Sequence, residues 1–282
     1  MDHQSDLAIV RRAYAKQTLA AARISDPRLQ AAFAAVPRED FLGPGPWLCF
    51  HMPGFYQPTV DADPVLLYVN ELFGLVAERR INNGQPSLHA ALLAAAAIQA
   101  EDHVVHIGAG TGYYTAIMSL MAGRVTAVEY EPVLAARAGV NLAPFGNTRV
   151  IEGNGAVVPL DAADVVYVNA GVTHPLSAWL DALADGGRLI IPLTTDANTR
   201  SFNSISGLFF RIQRRGTSFE ARALLPTAII PAEGIRDPSA EGRLAAAFSK
   251  GGWGKVTRLV RGDDAVPEDQ CWLRGEGWCL AT

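Results

Sequence analysis

Between Pro86 and Pro192 the chain alternates segments of helical spacing with short apolar runs. Helical spacing covers Pro86–Ala100, Gly112–Met121, Pro132–Ala143 and Pro175–Ala184. Between these, His103–Ile107, Arg124–Glu129, Thr148–Ile151, Asp164–Asn169 and Gly187–Pro192 read as strands. Strands separated by helices are joined by crossovers, and strands apolar on both sides are covered on both faces. The pattern therefore predicts an α/β fold, doubly wound around a mostly parallel, Rossmann-like sheet.

The flanking regions follow other rules. Ser5–Arg23 and Asp26–Val36 carry apolar residues at helical spacing, and Asp26-Pro27 places a capping carboxylate before a proline suited to a first turn. From Gly43 to Pro64 the run GPGPWLCFHMPGFYQPTVDADP is expected to lack regular structure and to lie over a site as an ordered lid. Beyond the alternating region, Leu208–Gln213 and Phe219–Ile230 flank Arg214-Arg215-Gly216-Thr217 as a hairpin. A helix over Ala240–Lys250 and single strands near Val256–Val260 and Trp272–Leu280 complete an antiparallel extension. Three parts are expected: residues 1–80 as a helical and loop cover, 81–231 as the core, and 232–282 as an extension packed on the core. Trp253, Trp272 and Trp278 of that extension are expected to serve packing.

Composition narrows the function classes. The longest apolar run, Ala90–Ile98, falls far short of the ~20 residues that cross a bilayer. The N-terminal stretch MDHQSDLAIVRRAYAK mixes charges of both signs without a secretory apolar core, so a cytoplasmic protein is expected. A net charge of −4 over 282 residues disfavours a nucleic-acid partner, leaving room for a local basic patch at most. The three cysteines, Cys49, Cys271 and Cys279, are odd in number in a chain large enough to need no staples. They are expected as buried free thiols in a reducing compartment. His103 and His106 lie on a strand without a completing ligand motif, so no metal is expected.

The sharpest chemical signal is VVHIGAGTGYYTA, where a buried strand runs through Gly108, Ala109, Gly110, Thr111 and Gly112 directly into a helix. Glycines at alternate positions let backbone turn tightly and approach a ligand that a Cβ would exclude. Glu129 ends the next strand, about twenty residues on, where a carboxylate can accept hydrogen bonds from the hydroxyls of a ribose. A dinucleotide loop would place its third glycine one residue later, where Tyr113 stands. The GxGxG spacing is the methyltransferase form, with a nicotinamide oxidoreductase as the competing class.

At these residues the chain resembles the protein-L-isoaspartate O-methyltransferase family, which uses S-adenosylmethionine. The likeness spans about residues 26–231, through LQAAFAAVPREDFLG, GQPSLHAALL, the glycine loop, VTAVEYEP, VIEGNGAVVPL, DVVYVNAGVTHPL and LADGGRLIIPL in that order. It implies O-methylation of a carboxylate, with isoaspartyl protein or peptide as the leading acceptor. Another peptide or small-molecule acceptor, and cofactor binding without turnover, are the alternatives. By position it implies Glu129 and Tyr130 at the ribose and adenine, and Asn154 and Gly155 at the adenine edge. It places Asn82 to Gln85, including Asn83 and Gly84, with His89 near the methionine moiety, and counts Asn169 among the cofactor contacts.

Departures from the family concentrate at the acceptor side. Where family members carry Thr-Ile-Ser, this chain has Asn82-Asn83-Gly84, so the serine hydroxyl is missing. Members commonly have an acidic residue where His106 stands and aspartate where Asn154 stands. A carboxylate nucleophile is already ionised at neutral pH and needs no general base, so catalysis rests on positioning. Pro86 at a first helical position is expected to leave amides open for an anion, with Asn82, Asn83, Gln85 and Ser87 as positioning candidates. A base-stacking aromatic after the fourth strand is absent, since that place reads Asn169-Ala170-Gly171-Val172.

Overall fold

Helix boundaries follow local chemistry in the computed structural model, which describes residues 3–51, 54–196, 206–262 and 266–282. Helix α1 is His3–Ala21 and α2 is Pro27–Ala35. The latter starts where the Asp26 carboxylate accepts hydrogen bonds from the amides of Arg28 and Leu29. After the short α3 (Glu39–Leu42) comes the segment expected to be irregular, yet β1 (Leu48–His51) and β2 (Phe55–Pro58) pair there as an antiparallel hairpin. Glycine and proline cluster outside the pairing runs or at their ends, which leaves Leu48–His51 and Phe55–Gln57 free to bond. Met52 and Pro53 of that expectation lie outside the described residues.

Short strands β3 (Gly74–Val76) and β4 (Ile81–Asn82) then precede α4 (Pro86–Ala96). That helix stops before Ala100 because Ala97 turns left-handed, with its N–H bonded to the Leu93 and Ala94 carbonyls. The alternating region follows as β5 (His103–Ile107), α5 (Tyr113–Ser119), β6 (Arg124–Glu129), α6 (Pro132–Asn141) and β7 (Thr148–Glu152). It continues as β8 (Ala163–Val168), α7 (Ser177–Ala182) and β9 (Leu183–Thr194). Leu183 and Ala184, which helical spacing assigned to the helix, instead open β9, where Leu183 is placed opposite Ala163 of β8. The chain ends with β10 (Gly207–Arg215), β11 (Ser218–Pro226), α8 (Pro238–Lys250), β12 (Arg258–Arg261), β13 (Cys271–Gly275) and β14 (Trp278–Ala281).

Two expectations about the extension are corrected. The single strand near Trp272–Leu280 is a hairpin, folded at Gly277 with φ 68°. Cys271 and Cys279 are consequently not free thiols: they form a disulfide, their Cα atoms 6.2 Å apart. On one continuous strand the same residues would stand about 26 Å apart, so reading a single strand hid the pairing. Cys49 is free and buried.

The residues gather into two compact units, Met1–Asp102 with Ala109–Glu152, and His103–Gly108 with Gly153–Thr282. In the first, β6 runs parallel to β7 with Glu129 opposite Glu152, and α1 packs on α2 and α4. In the second, β5, β8 and β9 are parallel neighbours, and pairing turns antiparallel from β9 through β10, β11, β12 and β14 to β13. Helix α8 covers one face of this extension. Its Phe248 meets Trp272, which meets Phe210. His106 is wholly buried in β5, its ring edge-on to Tyr167, and burial pulls its pKa down to about 3. It is a neutral side chain of the core.

The first unit is tied by Arg38, fully buried between α2 and α3. Its guanidinium donates to the carbonyls of Leu67, Val69 (2.8 Å) and Glu71 (2.9 Å), and lies 5.0 Å from the Phe73 ring centre. Removing it would leave several buried carbonyls without donors. Arg38→Ala is expected to lower unfolding stability in urea by about 3 kcal/mol or more, with Arg38→Lys recovering only part, because an ammonium cannot reproduce the planar fork.

Candidate active site

The glycine loop starts where β5 ends, and its backbone needs glycine at each place the sequence puts one. Gly108, Gly110 and Gly112 have φ of 77°, 58° and 96°. A Cβ at Gly108 would stand 3.2 Å from the Asn169 carbonyl oxygen, and one at Gly112 would stand 2.9 Å from Leu142 Cδ1. Ala109 and Thr111 between them are buried. The Ala109 amide donates to the Val128 carbonyl (3.2 Å), and the Thr111 carbonyl accepts from Asn141 Nδ2 (2.9 Å). The loop is thus braced by neighbouring backbone and side chain together.

Glu129 closes β6 and turns its carboxylate back to this loop. Oε2 accepts from the Gly110 amide at 2.6 Å, and Oε1 accepts from the Glu131 amide at 2.9 Å. Burial raises the pKa of the carboxyl group, against the lowering effect of the Glu131, Gly110 and Tyr130 amides. A carboxylate has about four lone-pair positions, so these amides do not exhaust its capacity to accept. Tyr130 beside it is 48% exposed. A tight glycine cradle next to a carboxylate with spare acceptor capacity suits a nucleoside with vicinal hydroxyls.

The acceptor-side segment departs from expectation in two places. Asn82 does not project an open amide: its Oδ1 accepts from the Gly84 amide (2.9 Å), and its Nδ2 donates to the Arg80 carbonyl (3.2 Å) and the Tyr56 hydroxyl (3.3 Å). The Ser87 amide, expected to stand open at the start of α4, donates to Asn70 Oδ1 at 2.8 Å. Gln85 precedes α4, exposed and making no side-chain cap bond. Asn83 is different. It is buried, exchanges backbone and side-chain bonds with Phe73 (3.0 and 2.8 Å), and keeps Nδ2 buried without a hydrogen-bond partner.

His89 and Tyr114 hold this segment in place. Their rings stack with centres 3.6 Å apart, and the Tyr114 hydroxyl donates to the Gly84 carbonyl at 3.1 Å. Gly84 itself has φ 76°, and a Cβ there would lie 2.2 Å from His89 Nε2. Sequence reasoning missed Tyr114, Asn70 and Phe73 as supports. Tyr114 stands next to the Tyr113 that distinguished the loop type, whereas Asn70 carried no pattern at all.

In the second unit Asn169 donates its amide to the Ile107 carbonyl (2.8 Å) and its Nδ2 to the Gly108 carbonyl (3.4 Å). Gly155 accepts from Trp179 Nε1 (2.8 Å), and a Cβ on it would reach within 2.6 Å of Ile107 Cγ2. Asn154 is occupied by structure: Oδ1 accepts from the Ala156 amide (2.9 Å) and Nδ2 donates to the Gly234 carbonyl (3.0 Å). Among the described residues no three His, Cys, Asp or Glu side chains gather where they could hold a metal ion.

Comparison with known proteins identifies the family. The sequence model of the family Protein-L-isoaspartate(D-aspartate) O-methyltransferase (PCMT) matches residues 13–232. A protein-L-isoaspartate O-methyltransferase of Rhodopseudomonas palustris is 31% identical over 241 residues, covering 82% of this chain and 97% of the relative. A solved protein-L-isoaspartate O-methyltransferase superposes with a TM-score of 0.63 at 26% identity, over 79% of this chain and 66% of that one. A Plasmodium falciparum structure described as a putative member, in complex with S-adenosyl-L-homocysteine, shares the fold with a TM-score of 0.60 at 16% identity, over 78% of this chain and 97% of that one. With the α/β fold, the glycine loop and most of its length so matched, the chain belongs to the protein-L-isoaspartate O-methyltransferase family.

Proposed function

We propose that the chain is an S-adenosylmethionine-dependent O-methyltransferase acting on the free carboxylate of isoaspartyl residues in proteins or peptides. The observation that carries this reading is the Gly108-Gly110-Gly112 loop bonded to Glu129 in a chain of that family. The cofactor supplies a methyl group on a sulfonium centre. Glu129 takes the ribose hydroxyls and Tyr130 flanks the adenine. Asn154 and Gly155 shape the adenine edge through backbone and packing, because the Asn154 amide is engaged elsewhere. Gly84, Gln85 and His89 border the methionine moiety, and Asn169 fixes the carbonyl of Gly108.

An acceptor carboxylate is ionised at neutral pH, so no side chain of the enzyme has to remove a proton. The protein's work is alignment and exclusion of water. With the family's serine hydroxyl missing, the unpartnered Nδ2 of Asn83 is the donor we assign to the acceptor carboxylate. A second reading, a different peptide or small-molecule acceptor, is favoured by the same segment, where the ring of His89 occupies the space a side chain at position 84 would need. The Cys271–Cys279 disulfide removes the argument for a reducing compartment that rested on three free thiols. No helix among the described residues is long and apolar enough to cross a membrane.

The deciding assay incubates the purified protein and S-adenosylmethionine with an isoaspartyl peptide and its normal aspartyl isomer. Methyl ester is expected on the first alone; ester on neither would move the assignment to another acceptor.

Cofactor binding is expected to follow the protonation of Glu129. Its raised pKa means that the folded, empty protein holds a proton there at higher pH than an ordinary glutamate would, which favours the fold below the ordinary carboxylate range and ceases to do so as pH rises through the raised value. Donors from a ribose favour the ionised form, so calorimetry with S-adenosylhomocysteine should show affinity falling from pH 7 to pH 5. Glu129→Gln should abolish that dependence, and Glu129→Ala should weaken binding by ~1.5–3 kcal/mol at pH 7.

Gly84→Ser is expected to impair turnover rather than restore the family's hydroxyl. The left-handed backbone costs a side chain ~1–2 kcal/mol, and the new Cβ collides with His89. In steady-state assays the double variant Gly84→Ser with His89→Ala should recover part of the lost kcat.

A further inference from the structure

Strands β9, β10 and β11 of the second unit set arginines side by side on one sheet face. Arg211 stands directly opposite Arg222, while Gln213 stands opposite Arg188 on one side and Glu220 on the other. Alternation adds Arg215, and Arg258 of β12 faces Glu220. On the other face Phe210 meets Trp272, which meets Phe248. Among the described residues, Arg211, Arg215, Arg222 and Arg258 therefore share this face with Glu220, with Arg188 recessed beside them, in a chain whose net charge is −4. Composition does not account for this, and the positive charge is local.

The arrangement is costly as it stands. Like charges directly opposite in an antiparallel pair repel. Glu220 is engaged by Arg215 at 3.3 Å, and Nε of Arg211 is buried with no hydrogen-bond partner. Burial, and then the charges of Arg222, Arg188 and Arg215, hold the Arg211 pKa below its usual value, with Glu220 as the opposing charge. Arg188 is only 9% exposed and Arg211 is half-buried, whereas Arg215, Arg222 and Arg258 open to solvent. A single carboxylate brings one negative charge, too few for the excess here. An extended acidic or nucleotide chain would spread its charge over the open surface and leave the recessed Arg211 unmet. A compact group with several negative charges and several acceptor oxygens matches both the charge and the depth.

We propose that this arginine face binds the polyphosphate chain of a small molecule, held by the opposed pair Arg211 and Arg222 and extending over Arg215. Guanidinium forks match phosphate oxygens bidentately, and the bound anion would replace the repulsion between paired strands by shared hydrogen bonds.

The test is titration calorimetry of the intact chain with sodium tripolyphosphate at constant ionic strength, paired with thermal melts. Saturable one-to-one binding is expected, weakened at least tenfold by Arg222→Gln and unchanged by Arg149→Gln, an exposed arginine of β7 that serves as the charge control. Without tripolyphosphate, Arg222→Gln should melt no lower than the parent chain, because a repulsion has been removed, and added tripolyphosphate should raise the melting temperature of the parent only. Absent or non-saturating heat, or equal losses in both variants, would overturn the proposal. So would a lower melting temperature of Arg222→Gln without ligand, since the guanidinium would then be serving the fold. A short single-stranded RNA that binds more tightly than tripolyphosphate, and does so through Arg222, would also overturn it and make the face a nucleic-acid surface.

Discussion

The hydrogen bond from the Gly110 amide to the Glu129 carboxylate joins the two features on which the candidate site depends. A buried carboxylate is expensive to keep charged, and its partners here are amides of the backbone rather than a cation. That choice leaves the carboxylate oxygens with acceptor capacity for a ligand. It also forces the loop to stay close, which only residues tolerant of positive φ allow. The three glycines and the acidic strand end are therefore one device, and a change at either would disturb the other.

Support for the acceptor side has a different character. Around Asn82–Gln85 the chain is set by contacts from other segments: the Phe73 backbone on Asn83, the Tyr114 hydroxyl on Gly84 and the Asn70 side chain on Ser87. Asn82 spends its amide on its own turn, much as asparagines do in loops. Nδ2 of Asn83 is held buried beside this segment without a hydrogen-bond partner. Methylation of a carboxylate depends more on alignment than on a general base, because the nucleophile arrives already ionised.

The stretch Leu67–Glu71 is ordered by Arg38 in the same economical way. One guanidinium satisfies carbonyls along Leu67–Glu71 and lies against the Phe73 ring, so a segment with little regular structure holds a defined path. Phe73 in turn meets Asn83, and a mechanical link thus runs from a buried cation to the segment Asn82–Gln85. The C-terminal extension instead relies on strand pairing, an aromatic cluster under α8 and one disulfide.

Local signals in the chain determined most of what was readable: β5 and β6 at their observed ends, the Asp26 cap, the glycine loop and Glu129. These depend on short-range pattern and on backbone angles that only particular residues adopt. The hairpin inside 43–64, the fold-back that joins Cys271 to Cys279, and the ends of α4 and α7 were decided by pairing and turns that a periodic pattern does not encode. The Asn154 side chain is engaged by the Ala156 amide and the Gly234 carbonyl, the latter a partner 80 residues away that no local pattern encodes. The arginine face was invisible for a related reason. Arg188, Arg211, Arg222 and Arg258 are scattered in sequence, and only strand register sets them on one surface, because which residues stand opposite one another is a property of the assembled sheet.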